Sequence, residues 1–565
     1  MRFAKIRTLI LLFLCLWLVA GVPQGMLAAE AIALQRDASS RFGMVVSSFP
    51  DATRAGEQML ETGGNAVDAA VATAFALAVC EPWASGLGGQ SYLLVHLKDG
   101  RTTAIDGSSI APSRFNLEEL KKDQNRSLGY KSATVPSTVA ALSYALQKYG
   151  TKKLREVLAP AIEIAEKGYR ITPLQHSIWL ENVEELRKSE GARKDFLKNG
   201  NEVWDVGDLF VQPELARTLR LLAEKGPEVL YKGEIADAIE ADMIRNGGYI
   251  RKDDLAAVNI VEREPVYGTH RGLDIASFPF PGSGDTVIEM LNILESFKPK
   301  FFRGEPLNRI QATAEAMHIA QADSRKNIPD PNTPPSGRDR HFIDKRFAQQ
   351  RKALINFSHP VDDKLLTSEP AEPDDDAQTT HLSTADRFGN AVSLTQSVCL
   401  YHGANVSTPG LGFLYNDYMQ TFDYRNPESP YYIKPHGAFH SSKSPTMLFK
   451  KGKLLMVVGS PASPRIITAI VQTVTNVVDR KMTLKEAVFA PRIHYSGGML
   501  DLEAVEPMTP EIIAALKARG YHIREYKSLD NYFGGVQAIY YDAKKKMFLG
   551  VADPRRDGIA LGPAK

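Results

Sequence analysis

The chain has 565 residues, 44% of them apolar and 24% charged, with a formal net charge of +2. That composition belongs to a globular protein with a sizeable core. The near-balanced charge gives no electrostatic case for nucleic acid or an acidic membrane surface as a partner.

Residues 1–31 stand apart. Arg2, Lys5 and Arg7 precede an apolar run from Leu9 to Val22, and Ala29-Glu30-Ala31 fits a small-x-small cleavage site. This predicts a cleaved secretory signal peptide and an exported protein, periplasmic or secreted, with no membrane attachment after signal removal. The run is short for a spanning helix, which needs about 20 apolar residues. Cys80 and Cys399 remain in the mature chain. Two cysteines in an exported protein could pair, but these lie far apart in sequence and are read as free and buried. No CxxC or Cys/His cluster occurs, so neither a metal site nor a cofactor is expected.

In chain order, Asp51–Thr62 is predicted as a helix, closed by Gly63-Gly64. Asn65 then caps a second helix, AVDAAVATAFALAVC, which is apolar nearly all round and therefore buried. Gly86, Gly88 and Gly89 feed the strand-like QSYLLVHL; they allow either a tight turn or a close backbone approach to a substrate. Amphipathic helices are expected in STVAALSYALQKYG, LREVLAPAIEIAEKG, ELARTLRLLAEKG and IADAIEADMIRNGG. A strand, loop and helix follow in DIASFPFPGSGDTVIEMLNILESF, then a helix over Asn308–Arg325. Residues 329–337 and 360–378 are rich in Pro, Asp and Ser and read as exposed linkers. Beyond them the chain is strand-rich: TTHLSTAD, NAVSLTQSV, a hairpin turning at Lys451-Gly452, a helix, and a final hairpin in VQAIYYDAKKKMFLGVAD. Helices first and strands later suggest a layered α/β fold.

Thr379 opens TTHLSTAD at what reads as an exposed loop-to-strand junction. A Thr-Thr-His there is ordinarily a β-former and a turn residue. If the Gln378–Thr379 bond is cut, its character changes. The freed α-amino group titrates at about 7.7–8 and sits beside the hydroxyl of the same residue. Amine as base and hydroxyl as nucleophile then form an acyl-transfer pair. The expectation is a proenzyme that makes its own N-terminal threonine.

The surrounding motifs support this. GGNAVDAAVATAFALAVCEPWASGLGG, YGTKKLREVLAPAIEIAEKGY, TTHLSTADRFGNAVSLTQS, SSKSPT, GSPASPRIIT and ADPRRDG together resemble, collinearly over nearly the whole mature chain, the γ-glutamyltranspeptidase family of N-terminal nucleophile (Ntn) hydrolases. The resemblance implies a four-layer αββα sandwich. It also implies self-cleavage into a large subunit (residues 32–378) and a small one (residues 379–565), held together as a heterodimer. The implied partners are a small γ-glutamyl or other acyl amide and an acceptor amine or water. By position, Thr379 matches the nucleophile and Ser397 the supporting hydroxyl. Ala462 and Ser463 replace the glycines of the oxyanion loop. Backbone N–H groups do that work, so the replacement is tolerable where the local angles admit a Cβ. Ser441 and Ser442 match the paired serines that bind the substrate's α-carboxylate.

The departures concern substrate recognition. Ser108 stands where the family has an Arg that clamps the α-carboxylate; Arg114 lies six residues on. Cys399 stands where the family has Asn, and Thr421 where it has the Asp that binds the α-amino group. Tyr415 and Tyr418 could line a more apolar pocket or belong to the core. Residues 422–441 look shorter than in lid-bearing members, implying an open site. The expectation is Ntn amidohydrolase chemistry on γ-glutamyl amides of the glutathione type. The alternatives are another acyl group, as in glutaryl-cephalosporin acylases, or an uncleaved binding protein.

Overall fold

The computed structural model describes residues 35–122, 126–327, 341–366 and 378–565. The signal-peptide reading and most of the two Pro/Asp-rich segments lie outside these residues. Asn65 begins the element on which the first layer is built. Its side chain accepts from the N–H groups of Val67 and Asp68, and the Asp68 carboxylate accepts from the Asn65 N–H at 2.7 Å. This is a reciprocal cap. The helix that follows, Ala66–Cys80, has all 15 residues buried. It packs against the helices Pro50–Glu61 and Leu154–Lys167 on one side and the strand Gln378–Asp386 on the other.

Two seven-stranded antiparallel sheets lie face to face. The first runs in the order Ile559–Leu561, Gly43–Ser47, Gln378–Asp386, Ala391–Cys399, Gln90–His96, Thr102–Gly107, Val261–Arg263. The second runs Asp37–Ser40, Met547–Ala552, Gln537–Asp542, Lys453–Gly459, Thr446–Lys450, Leu273–Ser277, Val266–His270. Strand alternation sorts the side chains into layers. Leu382 and Leu394 join Phe75 and Leu77 between the first helical layer and its sheet. Met44, Tyr92, Met447, Val457 and Ile539 fill the space between the sheets. Met456 and Val458 meet Leu291, Met317 and Ile470 of the outer helices on the far side. The fold is therefore the four-layer αββα sandwich.

The predicted hairpin turns at Lys451-Gly452, where both residues have positive φ (52° and 73°), as a two-residue turn requires. The expected order of helices first and strands later holds only in part. Early strands such as Gly43–Ser47 and Gln90–His96 enter the first sheet beside Gln378–Asp386 and Ala391–Cys399, because the buried helix needs a sheet face from both halves of the chain. Cys80 and Cys399 are free and buried. Among the described residues, no helix is long and apolar enough to cross a membrane.

The Asn65 amide also donates to the Tyr149 carbonyl at 2.7 Å, tying the cap to the helix Thr138–Tyr149. Asn65→Ala is expected to destabilise the fold by about 1–2 kcal/mol, measured as a lowered urea midpoint with an unchanged slope.

Candidate active site

The paired strands Gln378–Asp386 and Ala391–Cys399 carry a polar stripe on the face between the sheets. His381 lies against Thr395 (Nδ1 to Oγ1, 2.8 Å), Ser383 donates to the Gln537 carbonyl, and Ser393 donates to the Val458 carbonyl. By the two-residue period, Thr379 and Ser397 belong to this same face. Thr379 is the second residue of a continuous strand and only 4% exposed. It does not sit at an exposed loop junction, because pairing with Ala391–Cys399 carries the strand back to Gln378.

At that end the ladder is irregular. Gln378 pairs with Cys399 but Thr380 pairs with Gln396, leaving one extra residue on the second strand. Such a bulge re-aims side chains locally. Here it brings the Ser397 hydroxyl to the Gln378–Thr379 peptide. Ser397 Oγ donates to the Gln378 carbonyl oxygen at 2.8 Å, accepts from the Cys399 N–H at 2.8 Å, and accepts from Thr379 Oγ1 at 3.3 Å. One proton and two lone pairs are all engaged.

The residues behind the peptide hold it from the other side. Arg556 donates to Gln378 Oε1 at 2.6 Å while its guanidinium lies over the Trp83 ring, and Gln378 Nε2 donates to the Tyr401 hydroxyl. Thr380 Oγ1 donates to Glu81 Oε2 at 2.5 Å. Burial pushes the Glu81 carboxyl up to about 7, against the opposing pull of Arg556. His381 is not a base for Thr379. Burial pushes it down to about 3, and its ring fills the space in front of Gly459, where a Cβ would lie 2.1 Å away. Sequence reasoning gave no role to Glu81, Trp83 or Arg556, although all three lie inside the quoted motifs.

Thr379 and Ser397 line a pocket of about 360 Å³, whose lining also includes Cys399, Tyr418, Thr421, Ser441, Ser442, Lys443 and Ser463. Most residues singled out from the sequence are therefore brought together. Ala462 is fully buried beside them. The condition set for the oxyanion loop is met only under strain. Ala462 has φ of 85° and Ser463 of 46°, a region that glycine enters freely and a Cβ disfavours by about 1–2 kcal/mol. Cys399, in the Asn position, has φ of 87°.

One expectation is corrected and three open alternatives are resolved. Ser108 does not line the pocket: its hydroxyl is engaged with Asp106 Oδ1 (2.6 Å) and the Tyr92 hydroxyl (2.7 Å). Arg114 is half exposed and paired with Asp253, so it points away. Tyr415 belongs to the core, bonded to Thr408, whereas Tyr418 lines the pocket. Gly88 and Gly89 approach the protein's own backbone, not a ligand. A Cβ on Gly89 would lie 2.3 Å from the Ser397 carbonyl oxygen, and one on Gly88 would lie 2.1 Å from that of Leu414. The residues that sequence reasoning passed over in this pocket include Lys443, Tyr431, His440 and Arg325.

The αββα sandwich, with a strand-borne threonine opening into a pocket, defines an Ntn hydrolase. The chain belongs to the gamma-glutamyltranspeptidase family, whose model matches residues 52–562. It is 36% identical over 540 residues to the Acylase ACY 1 proenzyme of Pseudomonas sp. (strain SE83), covering 93% of this chain and 94% of that one. It is 35% identical over 533 residues to the glutathione hydrolase proenzyme of Escherichia coli (strain K12), covering 91% and 90%. Among solved structures, cephalosporin acylase from Bacillus halodurans superposes with a TM-score of 0.84 at 29% identity, covering 94% of this chain and 97% of that one.

Ala462→Gly is expected to relieve the left-handed strain and raise stability by about 1 kcal/mol, less what glycine adds to the unfolded chain's freedom. Urea unfolding of the two proteins side by side checks this.

Proposed function

We propose that the protein is a self-processing N-terminal threonine amidohydrolase and acyltransferase, exported as a precursor and matured into a heterodimer of residues 32–378 and 379–565. The observation that carries this reading is the relay at the bulge. The Thr379 hydroxyl, the Ser397 hydroxyl and the Gln378 carbonyl are joined in series, and the carbonyl to be attacked is the one that Ser397 polarises. The relatives named as proenzymes support it.

In the first step Thr379 Oγ1 bonds to the Gln378 carbonyl carbon and the Gln378–Thr379 C–N bond breaks. An ester replaces the amide, and the nitrogen leaves as the α-amine. Water then opens the ester and leaves a Gln378 carboxylate. In the mature enzyme that amine is the base and Thr379 Oγ1 the nucleophile toward a γ-glutamyl or related acyl amide. The leaving amine departs, and water or a second amine takes the acyl group. The N–H groups of Ala462 and Ser463 would hold the oxyanion. One such donor is worth about 3–4 kcal/mol of barrier. Loss of a cation at Ser108 and of an acid at Thr421 favours the acylase reading over a strict glutathione hydrolase.

Purified protein is expected to run as two fragments, the smaller beginning at Thr379, and Thr379→Ala as one uncut chain; intact mass and N-terminal sequencing read this directly. Ser397→Ala is expected to slow fragment appearance by roughly a hundred-fold or more, with Ser397→Thr close to wild type. An uncut wild-type chain would overturn the proposal in favour of a binding protein.

A further inference from the structure

The acyl pocket has a charge pattern that the family assignment does not explain. Among the described residues lining it there is no aspartate or glutamate, while Lys443, Arg325 and His440 are present. Lys443 is 3% exposed. Its ammonium donates to the Tyr418 hydroxyl at 2.7 Å and the Ser441 hydroxyl at 3.3 Å, and lies over the rings of Tyr418 and Tyr92. An ammonium has three donors, and no carboxylate among the described residues lies within ion-pair distance of this one. A buried cation without a counter-charge is strongly unfavourable unless something supplies the charge. Ser441, 3.3 Å away, is one of the two serines at the carboxylate position.

The other end of an amino-acid head finds nothing. The Thr421 hydroxyl is turned to the Tyr418 carbonyl at 2.7 Å. Asp417 does not line the pocket; it accepts from the Leu400 N–H and the Gln420 amide. An α-ammonium would therefore enter a pocket that holds the Lys443 ammonium and, among its described lining residues, no acid.

We propose that Lys443 is the carboxylate anchor of the acyl site, doing what Ser108 cannot, and that the acyl donors are monoamides of short dicarboxylic acids lacking an α-amino group, of the glutaryl type. This rests on the acyl-transfer reading of the preceding section. Burial pushes the Lys443 ammonium down to about 7, with the Cys399 thiol opposing the shift. The other titratable groups around it, Tyr418, Tyr92 and Asp417, are each raised by burial. The anchor is thus charged below about pH 7 and loses its charge above it.

The test compares glutaryl-, γ-glutamyl- and pentanoyl-p-nitroanilide, which share one chain length and differ only in the carboxylate and the α-ammonium. Wild-type enzyme is expected to favour the glutaryl amide over each of the others in kcat/KM by roughly ten-fold or more. Lys443→Met is expected to lower kcat/KM for the glutaryl amide by roughly ten- to a hundred-fold, mainly through KM, and leave the pentanoyl amide within a few-fold. Lys443→Arg should restore part of the loss. The glutaryl-to-pentanoyl ratio should fall as pH rises through about 7; the ratio cancels the Thr379 amine, which acts on both substrates. Fragment formation in each variant reports folding, and the wild-type panel stands even if a variant fails to mature. Preference for the γ-glutamyl or pentanoyl amide, equal loss on both substrates in Lys443→Met, or a processed enzyme inert on all three overturns this assignment alone. An unprocessed wild type overturns the parent reading and this one with it.

Discussion

The bond from the Ser397 hydroxyl to the Gln378 carbonyl is the constraint around which the rest is arranged. It exists because one extra residue in Ala391–Cys399 shifts the register at the end of the ladder. Everything behind it fixes that register. Gly89 admits the Ser397 carbonyl where any side chain would collide with it. Glu81, just past the end of the buried helix, takes the hydroxyl of Thr380. Arg556 takes the side chain of Gln378. A shift of one residue would turn Thr379 toward the helices, so the apolar faces of the strand pair, packed against the helix Ala66–Cys80, also set where the hydroxyl points.

Around this point the protein concentrates strain and unusual polarity. Two non-glycine residues with positive φ, Cys399 and Ser463, line the same pocket, and Ala462, also at positive φ, directly precedes Ser463. Residues held in such conformations persist only where their surroundings over-determine them. Ala462 and Ser463 lie between the strand Lys453–Gly459 and the helix Arg465–Val478, both packed into the outer core, and this packing supplies the restraint. The electrostatics divide into two compartments. Behind the Gln378–Thr379 peptide an acid and a guanidinium oppose one another, whereas in front of it the described lining of the pocket holds the Lys443 ammonium and no acid.

Much of this was legible in the chain. The all-apolar helix after Asn65, the turn at Lys451-Gly452 and the αββα architecture follow from periodicity, capping and the family motifs. So does the gathering of Thr379, Ser397, Ser441 and Ser463. The remainder depended on distance in space. Nothing in the spacing of Ser108 and Arg114 tells that one is bonded to Asp106 and Tyr92 and the other salt-bridged to Asp253. Lys443 sits in the quoted SSKSPT, yet a lysine there reads as a surface residue until Tyr418 and Tyr92 are seen around it. The bulge that aims Ser397 leaves no trace in composition, because a bulged strand and a regular one are written with the same residues.

The threading of the two sheets has a further consequence. Residues before 378 supply Gly43–Ser47, Gln90–His96, Thr102–Gly107 and Val261–Arg263 to one sheet and Asp37–Ser40, Val266–His270 and Leu273–Ser277 to the other; the remaining strands come from Gln378 onward. A break at Gln378–Thr379 would thus create two chains without creating an interface that can open, since parting them dismantles both ladders. Folding before the break is a first-order event within one molecule, whereas reassembly after it is second order and falls with dilution. The matured protein would then persist by the slowness of its unfolding rather than by any ability to refold.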